Sequence, residues 1–133
     1  MGYHSYLVLS RDNSTIVLKT GQELQQIKDS DFYTNGPTVS VNSVWNESLI
    51  VQVEPNRILV LNSNAKKLAE KEIGDDDVWI VSASVLDRFV CVILNLGHLY
   101  VYEILETGQV QAVYEFADFV VSAVSLYADK SHQ

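Results

Sequence analysis

Short apolar runs separated by polar turns recur along the 133 residues of the chain. The clearest runs come in pairs: one rich in β-branched and aromatic residues, a turn rich in Asn, Gly, Pro or Asp, and then a second run. This arrangement predicts antiparallel β-hairpins. The three predicted hairpins pair Tyr6–Leu9 with Thr15–Leu18, Leu49–Val53 with Ile58–Leu61, and Phe89–Ile93 with Leu99–Tyr102.

The hairpins are copies of one repeating unit. Val17, Val60 and Val101 occupy the same place in the three copies, 43 and 41 residues apart. A repeat of roughly 40 residues that carries four strands is typical of β-propeller blades. The additional strands of the repeat are predicted at Thr38–Val41, Val78–Ala83 and Phe119–Val124, and after the turns at Gly21 and Gly108.

The sequence therefore predicts an all-β fold, a partial β-propeller of about three four-stranded antiparallel blades. The blade repeats are expected near residues 1–37, 38–77 and 78–127, with a disordered tail at 128–133. No low-complexity tract or Pro/Ser-rich linker divides the chain. A single propeller segment is the resulting interpretation.

One segment is ambiguous between helix and strand. Ala65–Ile73 is rich in good helix formers. Its place in the repeat corresponds to the outer strand of a blade, and Leu68 and Ile73 would give a helix only a thin apolar face. A strand is favoured, because repeat context usually overrides local propensity.

Three blades do not close a ring. Propellers protect their sheet edges by radial repetition, typically of about 4–8 blades. A segment of this size leaves two apolar blade faces without a neighbour. Either the chain oligomerises to complete the ring or it is part of a longer polypeptide, and the second is the simpler account.

The charge of the chain disfavours direct contact with nucleic acid. It has 9 basic and 17 acidic residues, with a formal net charge of −8. Binding to a phosphate backbone requires clustered Lys and Arg. The only basic cluster is Lys66, Lys67 and Lys71, and it lies beside Glu70 and Glu72.

No motif in the chain indicates catalysis, a cofactor or a metal site. The three His residues are scattered, the six Gly residues are isolated, and no Gly-x-Ser-x-Gly turn is present. Cys91 lies in an apolar run, where a buried thiol behaves as a small hydrophobe. The acidic run Asp75–Asp77 lacks the alternating ligands of a calcium loop and is interpreted as a solvated loop between blades.

Aromatic residues are the candidates for partner binding, since Trp and Tyr are enriched at interface hot spots. Trp45 lies at a predicted turn and is the better surface candidate of the two tryptophans. Phe32 and Tyr33 lie in the long connection 28–37 and are similar candidates. Trp79 lies inside an apolar run and is expected in the core.

The segment Tyr6–Leu24 resembles the largest subunit of the cleavage and polyadenylation specificity factor. The resemblance continues through Gly36–Val39, Ile50–Val53 and the hairpin that ends near Ile104, covering about residues 3–104. Sister families with the same layout are the large subunit of the damage-specific DNA-binding complex and a propeller subunit of a branch-site splicing factor. Ser14–Glu23 fits the polyadenylation branch better than either sister family.

The resemblance implies a very long parent chain with three propellers, of which this segment comes from the middle one. It implies a nuclear, non-enzymatic scaffold that supports assembly of the module recognising the poly(A) signal. The expected partners are other subunits of the polyadenylation complex, with RNA contacted indirectly and no membrane or small-molecule substrate. Asp31 stands where relatives usually carry Gly before the Phe, so an altered turn is expected there.

Two alternative functions stay open at this point. One is a propeller segment of the related ubiquitin-ligase adaptor or splicing-factor subunit, which shares the same layout. The other is a direct RNA-binding module, which would need a basic stripe or exposed stacking aromatics. An enzyme built on a propeller would require convergent polar residues at a central channel, and the sequence shows none.

Overall fold

The computed structural model describes residues 6–21 and 23–116. No helix in these ranges is long and apolar enough to cross a membrane. The strands are β1 Tyr6–Ser10, β2 Thr15–Lys19, β3 Gln25–Gln26, β4 Ser40–Val44, β5 Leu49–Glu54, β6 Arg57–Asn62, β7 Lys67–Glu72, β8 Ile80–Leu86, β9 Phe89–Leu94, β10 Leu99–Ile104 and β11 Val110–Phe116.

The strands form three antiparallel sheets in sequence order. The first sheet is β1-β2-β3, the second is β4-β5-β6-β7, and the third is β8-β9-β10-β11. The all-β prediction is confirmed, and the three sheets are consistent with a partial β-propeller. The predicted hairpins are all present, as β1–β2, β5–β6 and β9–β10.

Several predicted details need correction or lie beyond the described residues. The first sheet has three described strands instead of the predicted four. Strands β4 and β8 each begin two residues later than predicted, at Ser40 and Ile80. The predicted strand Phe119–Val124 and the tail 128–133 lie outside the described residues, and the repeat boundaries stay predictions.

The ambiguous segment 65–73 contains the strand β7, as predicted. Its local sequence explains why no helix begins there. Ala65 has a left-handed backbone with φ of 63°, and the Asn62 side-chain oxygen accepts hydrogen bonds from the N–H groups of Asn64 and Lys66. These contacts form a turn that reverses the chain, so that β7 pairs antiparallel with β6.

The middle sheet is the centre of the hydrophobic core, and every residue of β5 is buried. Successive side chains of a strand point to opposite faces, so β5 contributes to both sides of its sheet. One cluster lies towards the first sheet and contains Val17, Phe32, Ile50, Leu59, Leu61 and Ala65. The other lies towards the third sheet and includes Val51, Val53, Val60, Val90, Val92 and Ile104.

Gln52 fixes the connection between the first two sheets. Its side chain is fully buried on β5. The amide oxygen accepts a hydrogen bond from Tyr33 N–H at 2.9 Å, and Nε2 donates to the Tyr33 carbonyl at 3.0 Å and to Thr38 Oγ1 at 2.9 Å. A buried amide with these partners has its polar groups largely satisfied, so it holds the connection without a large desolvation cost.

Trp45 links the second sheet to the third. It lies in the β4–β5 turn, where Trp45, Asn46 and Glu47 all have positive φ. Its indole is half-buried against the core, and Nε1 donates a 2.8 Å hydrogen bond to the Ile104 carbonyl at the end of β10. The contact joins two sheets through residues 59 positions apart in the sequence.

The prediction that Trp79 is a core residue is wrong. Its side chain is 42% exposed, whereas the next residue, Ile80, is 1% exposed. Trp79 N–H donates to Asn95 Oδ1 at 3.0 Å and its carbonyl accepts from Asn95 N–H at 2.8 Å. The backbone is therefore held against the β9–β10 turn while the indole faces outwards.

Glu54 is a buried acid at the end of β5. Arg57 Nε lies 3.1 Å from its Oε2, yet neither carboxyl oxygen has a hydrogen-bond partner among the described residues. The pKa of Glu54 is raised from 4.5 to about 7, chiefly because the carboxyl is buried; Arg57 lowers the pKa and Glu70 raises it within that net shift. The carboxyl lacks the hydrogen bonds that would stabilise its charge, which is consistent with the raised pKa.

We expect Trp45→Phe to destabilise the fold by about 1–2 kcal/mol, because it leaves the Ile104 carbonyl without its donor. The matched control is Trp79→Phe, which alters an exposed indole of the same chain and should change stability by no more than about 0.5 kcal/mol. Urea unfolding followed by far-UV circular dichroism measures both. Equal losses in the two variants would contradict the proposed link between sheets.

The raised pKa of Glu54 predicts that the free energy of unfolding depends on pH. Because its folded pKa is raised, the folded state holds the proton more tightly, and stability present below pH 4.5 is lost as the pH rises through about 7. The loss is on the order of 3 kcal/mol. Glu54→Gln should flatten this dependence in urea unfolding at pH 5 and pH 7.5, while the exposed control Glu106→Gln should retain it.

Candidate partner-binding surface

The three predicted partner-binding aromatics do not form one surface. Phe32 and Tyr33 lie on the connection between the first two sheets, while Trp45 lies between the second sheet and the third. Each is held by contacts within the chain. Their role in binding a partner stays a prediction, and the contacts of each residue show how much of it remains available.

Phe32 belongs to the core. Its side chain is 5% exposed, and its ring makes an edge-to-face contact with the ring of Tyr6, with 5.5 Å between the centroids. It forms part of the wall of a cavity of about 380 Å³ between β1 and the second sheet. Burying an aromatic side chain contributes a few kcal/mol to folding, and this packing accounts for the presence of Phe32.

Tyr33 and Trp45 are half-buried and keep part of their surface in solvent. The guanidinium of Arg57 lies 4.9 Å from the centroid of the Tyr33 ring, a cation–π contact. The indole nitrogen of Trp45 is occupied by the Ile104 carbonyl. A partner would therefore meet only the exposed parts of these two side chains, each held by a contact within the chain.

An exposed apolar group at one end of the third sheet was missed by the sequence reasoning. Trp79, Val81 and Leu96 are 42%, 50% and 57% exposed. Leu96 follows Asn95, which bonds Trp79 through two hydrogen bonds. Alternation was the available signal for Trp79, which precedes the buried Ile80 and so points to the opposite face.

The acidic run 75–77 adjoins this group. Asp75 Oδ1 accepts hydrogen bonds from the N–H groups of Asp77 and Val78, and Asn95 Nδ2 donates to the Asp77 carbonyl. All three Asp residues are exposed. We call Trp79, Val81 and Leu96, together with Asp75–Asp77, the Trp79 surface. Apolar side chains beside acidic ones suit a partner segment that combines apolar and basic residues.

Chemistry other than binding has few candidate groups in the described part of the chain. Within residues 6–21 and 23–116, no group of three or more His, Cys, Asp or Glu residues could hold a metal ion. Cys91 is buried, and burial raises the pKa of its thiol, which disfavours the reactive thiolate. Burial, together with the neighbouring Tyr100 and Glu115, raises the pKa of Tyr102 to about 12.

Comparison with known proteins connects this geometry to a family. The family model described as the RSE1/DDB1/CPSF1 second beta-propeller matches residues 2–132. The chain is 30% identical over 142 aligned residues to "Probable cleavage and polyadenylation specificity factor subunit 1" of Caenorhabditis elegans, covering 96% of the chain and 10% of the relative. It is 32% identical to the Drosophila melanogaster cleavage and polyadenylation specificity factor subunit 1, covering 78% of the chain and 7% of the relative.

A splicing protein is equally similar. The chain is 31% identical over 127 residues to the pre-mRNA-splicing factor prp12 of Schizosaccharomyces pombe, covering 93% of the chain and 10% of the relative. The chain thus spans about a tenth of the length of the curated relatives it matches. With a family model that matches nearly every residue and three sheets that have the predicted repeat, the chain belongs to the RSE1/DDB1/CPSF1 second β-propeller family.

Proposed function

We propose that this chain is a non-enzymatic scaffold segment of a nuclear pre-mRNA cleavage and polyadenylation factor. It would support assembly of the module that recognises the poly(A) signal. The observation that carries the proposal is the similarity to the cleavage and polyadenylation specificity factor subunits of the worm and the fly. The fit of Ser14–Glu23 to that branch supports the same choice.

A second candidate function is a propeller segment of a splicing factor. The similarity to prp12 is of the same size and covers 93% of the chain. The three-sheet architecture suits both functions, because a fold does not specify which partners are bound. The two candidates share a mechanism and differ in the complex that the scaffold joins.

The mechanism we propose is rigid presentation of surface loops to protein partners. Gln52 and Trp45 tie the three sheets together through side-chain hydrogen bonds, so loops on different blades keep a fixed separation. Binding by a preorganised surface avoids the entropy cost of ordering it on contact. The Trp79 surface is the exposed apolar group that we propose meets a partner.

Direct RNA contact is disfavoured by the pairing of the basic side chains. Arg57 contacts Glu54 and Glu70, and Lys67 also contacts Glu70. Arg88 is paired with Asp87 and Glu103. Salt-bridged cations within a chain of net charge −8 form a poor phosphate-binding stripe. We therefore propose that RNA is contacted through other subunits of the complex.

Affinity purification of the intact gene product that contains this chain tests the assignment. We expect mass spectrometry to recover cleavage and polyadenylation subunits. Recovery of splicing factors would favour the second candidate, and recovery of a ubiquitin-ligase complex would overturn both. Steep salt-dependent binding of RNA by the purified chain would contradict indirect contact with RNA.

A double variant tests the proposed surface. The double variant Trp79→Ser/Leu96→Ser should weaken the affinity for the partner roughly 30-fold and so reduce its recovery. Removing a Trp at the centre of an interface commonly costs about 2 kcal/mol or more. The matched control is Leu24→Ser, which removes a 59% exposed side chain in the loop just before β3. Equal recovery with the double variant and the control would exclude the Trp79 surface.

A further inference from the structure

Ser30 lies in the connection between β3 and β4, between two acidic residues. Asp29 precedes it and Asp31 follows it, and no other Ser or Thr of the chain has an acid in both neighbouring positions. Residues 28–30 belong to no strand, Lys28 and Asp29 are exposed, and Ser30 is half-buried. Protein kinases select substrates partly by the charge pattern around the hydroxyl, so this segment suits an acid-directed serine kinase.

Ser30 lines a cavity of about 230 Å³ between the first two sheets. Lys19, the last residue of β2, and Lys66, in the turn between β6 and β7, line the same cavity. Its other polar side chains belong to Tyr6, Asp29 and Asn64. The Ser30 hydroxyl forms no hydrogen bond with any described residue, so it is available for modification.

The cavity is basic although the chain as a whole is acidic. Two lysines and one Asp line it, whereas the chain has a formal net charge of −8. Neither Lys19 nor Lys66 forms a salt bridge within the described part of the chain. Lys66 Nζ donates instead to the Asp29 carbonyl at 2.6 Å. Two cationic side chains without carboxylate partners therefore line the cavity beside Ser30.

The chain on both sides of the serine is already anchored. Asp31 N–H donates to the Ala65 carbonyl at 2.8 Å, and Asp31 Oδ2 accepts a hydrogen bond from Lys67 N–H at 2.7 Å. Ile27 N–H donates to the Val17 carbonyl at 3.1 Å. The first two contacts lead to the second sheet and the last to the first sheet, so a group added to the serine stays beside the cavity.

We propose that Ser30 is a phosphorylation site whose phosphate binds Lys19 and Lys66 and so ties the connection to both of the first two sheets. Phosphorylation adds three strong acceptor oxygens and a charge of about −1.5 to −2 at neutral pH. The two lysines offset that charge against the repulsion from Asp29 and Asp31. Charge-assisted hydrogen bonds from ammonium groups to phosphate are among the stronger hydrogen bonds in proteins.

A protein kinase supplies the catalysis, and ATP supplies the phosphoryl group. The Ser30 hydroxyl loses its proton, and Oγ bonds to the γ-phosphorus while the bond from that phosphorus to the β–γ bridging oxygen breaks. ADP and the proton are released. The product is a phosphate monoester that a phosphatase can hydrolyse, so the tie between the sheets is reversible.

The modification would add regulation to the scaffold. The same connection carries Phe32 and Tyr33. Without the phosphate, the hydrogen bonds of residues 29–31 lead to the second sheet. The phosphate would add Lys19 of the first sheet, and so would restrict the first sheet relative to the second. This effect does not depend on which processing complex the scaffold joins.

The occurrence of the modification is tested on the intact gene product that contains this chain. Purification with phosphatase inhibitors, followed by peptide mapping in a mass spectrometer, should locate a phosphate on Ser30. An acid-directed serine kinase with ATP should also phosphorylate the purified full chain, several-fold faster than the variant Asp29→Asn/Asp31→Asn. The matched control Asp12→Asn/Glu106→Gln removes two exposed acids elsewhere and should leave the rate unchanged. Absence of phosphate from Ser30 in cells, or undiminished incorporation into Ser30→Ala, would overturn the site.

The binding of the phosphate by the two lysines is tested by phosphorus NMR of the phosphorylated full chain. A free phosphoserine has a second pKa of about 6, and nearby cations favour its dianion. The titration midpoint should lie about 0.5–1 pH unit below that of a phosphorylated peptide of residues 25–35. The variant Lys19→Gln/Lys66→Gln should return the midpoint to the peptide value, whereas Lys19→Arg/Lys66→Arg should keep it low.

The matched control for the lysines is Arg11→Gln/Lys71→Gln, which removes two exposed cations that do not line the cavity. It should keep the low midpoint. A full chain that titrates like the peptide, or a low midpoint that survives in Lys19→Gln/Lys66→Gln, would contradict phosphate binding in the cavity. If circular dichroism shows that this variant is unfolded, the two single Gln substitutions replace it, and each should raise the midpoint part of the way.

Thermal unfolding of the full chain tests the tie between the sheets. Phosphorylation should raise the unfolding midpoint by about 2–4 °C, because the phosphate links residues of both sheets in the folded state. High salt should remove most of this increase, since salt screens exposed charge pairs. An unchanged or lowered midpoint would show that the phosphate does not tie the sheets.

Discussion

Burial of the middle sheet on both faces is the constraint on which the other sheets depend. Every side chain of β5 is buried, so the strand needs a neighbour on each side. Ile50 packs towards the first sheet, and Val51 packs towards the third. The middle blade therefore buries both faces against its neighbours, as is typical of repeat architectures.

Much of the fold could be predicted, because hairpins are specified locally. Alternation and turn residues define them over ten to fifteen positions, and repetition identifies β7 as a strand despite its helix-forming residues. Phe32 was not predictable in this way. It lies in a connection without periodicity, and the next residue is held by Gln52, nineteen positions away. The core prediction for Trp79 fails because apolar composition does not distinguish Trp79 from Ile80, whereas their alternating side-chain directions do.

The aromatic side chains of the candidate site have different structural roles. Phe32 packs in the core, and Trp45 links two sheets through its hydrogen bond to Ile104. The backbone of Trp79 is held by Asn95, and its indole remains exposed to solvent. Sequence alone does not separate these roles, since all three residues lie in or beside turns. The distinction comes from long-range hydrogen bonds, and these depend on how the sheets stack. Exposed aromatic side chains such as Trp79 are therefore better candidates for a partner-binding surface than the buried ones.

The outer strand β7 has a consequence for colloidal behaviour. Four of its six side chains are Lys or Glu, and every side chain except that of Ala69 is exposed. Its pairing with β6 shifts register between Val60 and Leu61, and β10 shifts with β11 between the equivalent Val101 and Tyr102. Charge and irregular register both make a strand a poor template for lateral pairing. The exposed edge of β7 is therefore a poor template for fibril growth.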